Sequence, residues 1–577
     1  MMGFLKTFLA AMLAIVVTLL IVVGAVAIKA MQKPDIEKRS WLVVDLYGEI
    51  QEYDPPSSGI LDQVMGGGPE TLQRILDNMA KAAVDDRIAG VIVKVAGCTA
   101  GGGMREEIRG AIKAVRAAGK PVYGWSDSAD KGVFYVAAAC DSVFMPPTAY
   151  ISFLGYAMTV PHVRGTLDKL GVEPRLHKIK DYKSAAEVVM DKELSPAARE
   201  NEEWILADVW AEMMNVLSED RGLTEDEVTG LMEEAAFGAA RALEAGLIDG
   251  ILYWDELADR LKGEDDDDLR TVSMGRYADV DFDDLDMTGD AKIAVVHAQG
   301  TIGGRQSGVN PLLGMMMGHE SVCADLRRAR EDEDVAAVVF RVNSGGGDAL
   351  TSDLIGHEVE ITAAVKPVIV SMVDVAASGG YHIAYRATRI VADGNTIAGS
   401  IGSISGKFVA KGLYDKLGIT HSFVTRGPNA LMWSDVYDFT DEQWEIHAAR
   451  HWADFNDWLR DVAERRGMSF AEAEKLAHGR VWTGRQAAGN GLVDEVGGLD
   501  RAVVLACELA EVPADEKITV VHYPESKDFL ESLLSGEGDM AMAARWLVYR
   551  ALREDVAGTW NMVANNPRWY VEELRVR

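Results

Sequence analysis

The sequence predicts an α/β protein made of two tandem copies of one βαβ unit, each with a mostly parallel sheet, behind an amino-terminal membrane-spanning helix. Landmarks of the first copy return in the second at a nearly constant spacing: 252 residues for Gly48/Gly300, 247 for Lys94/Arg341, 247 for Gly171/Gly418 and 245 for Asp249/Asp494. Chance does not hold a spacing that steady. Within each copy, β-branched runs alternate with helical stretches at 73–84, 105–118 and 352–365, the pattern of a parallel sheet covered on both faces.

In chain order, the first element is an anchor, residues 1–40. Residues 7–28 carry no charge, and 22 residues in a helix reach ~33 Å, about the thickness of bilayer hydrocarbon. Ala25-Val26-Ala27 would suit cleavage as a signal peptide, but the apolar run is longer than such peptides carry. Lys29, Lys33, Lys38 and Arg39 outnumber Lys6, a balance that taken alone keeps the following domain in the cytosol. The first repeat is 41–262 and the second 291–512. WLVVDLYGEI from Trp41 matches KIAVVHAQGTI from Lys292, and VIVKVAG from Val91 matches VVFRVNS from Val338, each of the latter pair followed by three glycines. LDKLGV from Leu167 matches YDKLGI from Tyr414, and AGLIDG from Ala245 matches NGLVDE from Asn490. Between the repeats, 263–290 opens with an acidic run and reads as an exposed linker carrying an edge strand. Residues 513–577 form an extension with a strand at 518–523 and a tail rich in Trp, Met and Arg.

Composition narrows the function. A chain of 577 residues with 48% hydrophobic content fills real cores, and a formal net charge of −32 repels a phosphate backbone, so no nucleic-acid partner is expected. Cys98, Cys140, Cys323 and Cys507 lie far apart without CxxC spacing, which argues against disulfides or zinc. Neither GxxxxGK[ST] nor GxGxxG occurs, and no cofactor is expected.

The candidate chemistry lies in 368–403. An apolar strand runs into Ala377-Ser378-Gly379-Gly380-Tyr381 and then a helix. A serine at such a turn stands clear of its neighbours with amides beside it, but a helix N-cap is an equally good reading of Ser378. The glycine cluster Gly345-Gly346-Gly347 follows a second strand; its Gly346 amide could join that of Gly379 to hold an oxyanion, or the glycines could only make a tight turn. A serine nucleophile needs a base. His382 would point away from Ser378, and His447 and His451 share a helix face without the glutamate of a zinc protease. Lys183 is the other candidate. Its repeat counterpart is Asn429 or Ala430, while that of Ser378 is Lys131 or Gly132, so each half has kept one partner. Lysine acts as a base only if burial lowers its pKa by several units.

At these residues the sequence resembles the long form of the signal peptide peptidase A (protease IV) family, serine peptidase family S49. The resemblance rests on Ala377-Ser378-Gly379-Gly380-Tyr381, Asp181-Tyr182-Lys183-Ser184-Ala185, Leu194-Ser195-Pro196-Ala197-Ala198-Arg199-Glu200, Ile397-Ala398-Gly399-Ser400-Ile401-Gly402 and Gly479-Arg480-Val481-Trp482-Thr483-Gly484, and runs to about Ala510. It implies a ClpP/crotonase-like fold in each half, with Ser378 as nucleophile, Lys183 as general base, Ser400 orienting the lysine, and Gly379 and Gly346 as oxyanion donors. It further implies a homotetramer acting on hydrophobic peptides such as signal peptide remnants, in contact with membrane lipid. The catalytic body would lie on the periplasmic side of a bacterial inner membrane, since large domains translocate despite flanking charge. Two other readings of the same fold stand beside this one. A crotonase-like acyl-CoA enzyme would not need Lys183, and a non-catalytic membrane scaffold would have Ser378 as a cap and Lys183 in solvent.

Overall fold

The computed structural model describes residues 34–53, 70–263, 266–310 and 314–525. The expected anchor at 7–28 and the extension beyond 525 lie outside the described residues. Among the described residues no helix is long and apolar enough to cross a membrane.

Two parallel sheets carry the repeat. In the first half the strands lie in the order Thr271–Ser273, Ser40–Gly48, Ile88–Cys98, Val122–Trp125, Ser142–Met145 and Gly250–Ile251, all parallel. The second half follows the same order with Ile518–Tyr523, Ala291–Gln299, Val335–Ser344, Val368–Ala377, Arg389–Ala392 and Glu495–Val496. Helices cover both faces, which is why the strands read as continuous apolar runs. In the second half Val295, Val339 and Ile369 face the helix Leu499–Leu509, while Val338, Phe340 and Val370 face the opposite layer.

The segment 263–290 does not hang free. Its strand Thr271–Ser273 closes the edge of the first sheet, and Tyr277 and Val280 behind it are buried. Lys81, also buried, donates to the carbonyls of Tyr277 (3.2 Å), Ala278 (3.1 Å) and Val280 (3.0 Å), and the Tyr277 hydroxyl donates to Asp85 at 2.9 Å. Thr271 and Ile518 are 247 residues apart, so the two edge strands are themselves repeat landmarks, and each half extends through its own edge strand.

Among the described residues, three of the contacts that join the halves frame the site. The first-half helix Gly102–Ala117 docks on the strand Val368–Ala377, where the Met104 amide donates to Asp374 at 3.1 Å. Arg341, fully buried, donates to Glu52 and Glu107 of the first half, each at 2.7 Å, and to Ser371 at 2.8 Å. The third contact is antiparallel pairing of Glu173–Lys178 with Ile404–Val409. It is set by two helices meeting at Gly171 and Gly412, where a Cβ on Gly171 would lie 2.6 Å from the Gly412 carbonyl carbon.

Candidate active site

The strand Val368–Ala377 stops at Ser378, and the turn Gly379–His382 begins beyond it. Ser378 sits at φ 56°, ψ −117°, a conformation costly for any residue but glycine. Its amide is tied to the Gly399 carbonyl at 2.8 Å, so the neighbouring strand enforces the strain. The hydroxyl makes no cap to the following helix. Of the two sequence readings of this serine, the N-cap is therefore not found.

The hydroxyl instead meets Lys183. The strand Glu173–Lys178, paired to the second half, delivers the loop that carries Lys183 to this turn. Its Nζ lies 2.9 Å from Ser378 Oγ, 2.8 Å from Ser400 Oγ and 2.9 Å from the Ser400 carbonyl oxygen. Lys183 is 6% exposed, and burial pushes its amine down to about 7 with no carboxylate opposing the shift. A neutral amine has two N–H donors and one lone pair. The Ser400 carbonyl can only accept, so one of the two hydroxyls must donate to the lone pair. With Ser400 Oγ accepting the second N–H, that donor is Ser378, which is the arrangement from which its proton transfers.

The remaining motifs hold this lysine in place. Gly479, at φ +88°, lies so close that a Cβ there would be 2.4 Å from the Lys183 amide nitrogen. Arg480 accepts the Ser400 amide on its carbonyl at 2.7 Å, pairs with Glu200 at 2.6 Å and lies over the Tyr182 ring. Tyr182 in turn donates to Glu200 at 3.1 Å. Ser195 caps the long helix Pro196–Arg221 that presents Glu200.

Gly346 requires a correction. Its amide donates to Ser344 Oγ at 3.1 Å, and that hydroxyl donates to the Gly300 carbonyl at 2.6 Å, so the Gly346 N–H is not turned toward an incoming oxyanion. The next amide, Gly347, has no acceptor among the described residues and lies beside Gly379, where a Cβ would meet the Gly347 nitrogen at 3.0 Å. Three successive glycines give no sequence signal for which amide faces the site; the strand register around Ile302 decides it. The Gly379 amide likewise has no acceptor among the described residues.

The histidines stay apart from this center. His382 stacks on Trp458 with ring centroids 4.8 Å apart. His447 and His451 are packed with His177, and His451 bonds His177 at 2.7 Å and Ser403 at 2.6 Å. Burial and its two histidine neighbours hold His451 down at about 4. Asn429 and Ala430, the counterparts of Lys183, are exposed. Beside the glycine loop a cavity of about 510 Å³ opens between the halves, lined among others by Ile50, Met104, Val309, Met315 and Ser344. The methionine-rich segment at 312–317 thus contributes a strand, Gly314–Met317, to the cavity wall, while Leu312 lies outside the described residues. The scaffold reading, which required a capping Ser378 and a solvated Lys183, finds neither.

Two parallel α/β halves with a strained serine of one held against a buried lysine amine of the other make up the fold and the candidate site. The model of Peptidase family S49 matches residues 114–267 and 360–513, one stretch in each half. The chain belongs to that family. It is 34% identical over 474 residues to the chloroplastic serine protease SPPA of Arabidopsis thaliana, covering 81% of this chain and 70% of that protein. It is 32% identical to Protease 4 of Haemophilus influenzae, over 71% of this chain and 68% of that one. Among solved structures, a mutant ClpP1 of Listeria monocytogenes aligns at 17% identity and a TM-score of 0.25, covering 36% of this chain and 94% of its own.

The lowered amine has a consequence for stability. Between about 7 and the ordinary value of 10.5 the unfolded chain holds a proton on Lys183 that the folded one does not, so this group makes stability rise with pH across that window. Lys183→Met removes the penalty. At pH 7 its free energy of unfolding is expected to exceed that of the parent by on the order of a few kcal/mol, read as a higher melting temperature, with the gain fading toward pH 10. A variant less stable than the parent at pH 7 would contradict a neutralised amine.

Proposed function

We propose that the chain is a membrane-anchored serine endopeptidase with a Ser378/Lys183 dyad that degrades hydrophobic peptides, signal peptide remnants among them. The observation that carries this reading is the buried Lys183 amine 2.9 Å from Ser378 Oγ with no carboxylate to charge it. Neutral Lys183 takes the hydroxyl proton as Ser378 Oγ attacks the peptide carbonyl carbon. The Gly379 and Gly347 amides bond the developing oxyanion. The Lys183 ammonium then gives its proton to the leaving amine, and the peptide C–N bond breaks. A water, deprotonated by the same amine, attacks the acyl ester and releases Ser378. Ser400 orients the amine throughout. In the cavity between the halves Ile50, Met104, Val309 and Met315 offer apolar wall for a hydrophobic side chain, beside the carboxylates of Glu49, Glu52 and Asp374. The uncharged run 7–28 supports an anchor in contact with membrane lipid, and we assign the body to the periplasmic side of a bacterial inner membrane.

We further propose a homotetramer, on a repeat argument. Within the chain, Glu173–Lys178 pairs with Ile404–Val409, and Gly171 packs on Gly412. Their counterparts 247 residues away, 420–425 with 157–162 and Gly418 with Gly165, are unpaired: 420–425 is exposed throughout, and neither glycine has any atom within 4 Å of a built Cβ. The same joint made between copies would join them head to tail, closing a ring.

Turnover of a quenched hydrophobic peptide is expected to fall at least ~10³-fold in Ser378→Ala and in Lys183→Ala, and by about tenfold in Ser400→Ala, which removes one bond to the amine. Full turnover in either of the first two variants removes the dyad. Gly165→Leu fills open space in the single chain but blocks the joint between copies. Sedimentation should find this variant as folded monomer where the parent is tetramer; an unchanged assembly would refute the proposed joint.

A further inference from the structure

The first half contains a counterpart of the active site in which hydroxyls have been replaced by cations. At the 247-residue spacing Lys131 stands for Ser378 and Gly132 for Gly379. Arg105 stands for Ser352, whose hydroxyl would lie 2.6 Å from a Cβ on Gly379, and Tyr156 stands for Ser403. The strain has gone with the nucleophile: Lys131 opens the helix Lys131–Ala137 and is absent from the residues with positive φ. What remains is a cavity of about 360 Å³ whose lining includes Arg105, Lys131, Tyr135 and Tyr156 and the two carboxylates of Asp130 and Glu212.

Neither cation in it makes an ion pair among the described residues, although the Asp130 carboxylate lies nearby. Lys131 Nζ donates to the Gly155 carbonyl at 3.2 Å and lies 4.7 Å from the Tyr156 ring center. The Arg105 guanidinium has only the Cys98 carbonyl, at 3.5 Å. The local carboxylates also have other partners. Asp130 accepts from the Val133 amide at 2.9 Å, while Glu212 accepts from Tyr135 at 3.3 Å and pairs with Arg485 at 3.4 Å. Burial pushes the Lys131 amine below its ordinary value; Asp130 opposes the shift and Arg105 adds to it. With Glu212 paired to Arg485, the cavity keeps two half-buried cations that repel each other against the single carboxylate of Asp130, an excess that an anion would relieve.

We propose that this cavity binds the terminal carboxylate of a peptide. The inference rests on the reading of the chain as a peptidase, in which every cleavage creates a new carboxylate. A guanidinium fork and an ammonium match a carboxylate, the two tyrosine rings supply apolar walls for the last side chain, and the volume suits a chain end rather than a folded partner. The former nucleophile site would then hold a fragment end while Ser378 works on the other half's site.

The test uses the full chain with Ser378→Ala and a fluorescein-labelled hydrophobic peptide, offered as free acid and as C-terminal amide, read by anisotropy. The acid should bind at least about tenfold more tightly than the amide, the range of a charge-assisted hydrogen bond. That preference should vanish with Lys131→Met plus Arg105→Met and survive Lys131→Arg, with circular dichroism confirming the fold of each. Equal affinity for acid and amide, or a preference that outlasts loss of both cations, overturns the proposal. Acetate competing as well as the acid peptide reassigns the site to small carboxylates and also overturns it. Hydrolysis by the parent chain separates this from the peptidase reading: loss of preference with Ser378-dependent hydrolysis intact sinks the carboxylate site alone, and a preference without hydrolysis supports the site and sinks the peptidase.

Discussion

An amine can meet a serine as a base only if it is stripped of water and kept away from carboxylates, and here that condition is met by chain from the other repeat. The antiparallel pairing of Glu173–Lys178 with Ile404–Val409 carries Lys183 out of the first half and into the second. Once there, Lys183 touches two hydroxyls and a carbonyl, with Gly479 packed against its backbone. Neither half holds both groups, so the proposed dyad depends on the joint. The buried Arg341 reinforces it: with Glu52 and Glu107 on it the charge is satisfied, and without the first half a guanidinium would be stranded in the second.

The two halves therefore differ in what they keep rather than in how they fold. Their sheets share one strand order, down to the edge strands Thr271–Ser273 and Ile518–Tyr523. The second half retains a strained serine and free amides; the first retains the arm that delivers the lysine. At the place of the serine the first half has Lys131, and at the place of the lysine the second has Asn429 or Ala430. A duplicated site in which each copy loses a different partner would leave one complete center per chain, and the other pocket is the one we propose for a peptide carboxylate.

Much of this was legible in the sequence because it is written in local pattern. Buried parallel strands are runs of Val and Ile, and a duplicated fold repeats them at a fixed interval, so the architecture followed from counting; counting made Lys183 a candidate partner of Ser378, and the family resemblance implied their roles. Features set by tertiary contact were not legible. Whether Ser378 caps a helix depends on its backbone angles, which the Gly399 carbonyl imposes. Which glycine amide faces the site depends on Ser344 and on the register at Ile302, not on the glycines themselves. The edge strand expected in 263–290 is Thr271–Ser273, but the burial of Tyr277 and Val280 behind it carried no signal beside so acidic a run. The segment after it is held by Lys81, a residue that by type alone belongs on the surface and here bonds the carbonyls of Tyr277, Ala278 and Val280.

The central claim is that Ser378 is activated by an uncharged Lys183. It is tested most directly by the rate at which a peptidyl phosphonate labels Ser378 as pH is varied. The account predicts a rate that rises through a single apparent pKa near about 7 and then levels, with Lys183→Ala labelling slowly at every pH. Labelling of Lys183→Ala at the parent rate, or a parent profile that climbs only toward the ordinary lysine range, would contradict it.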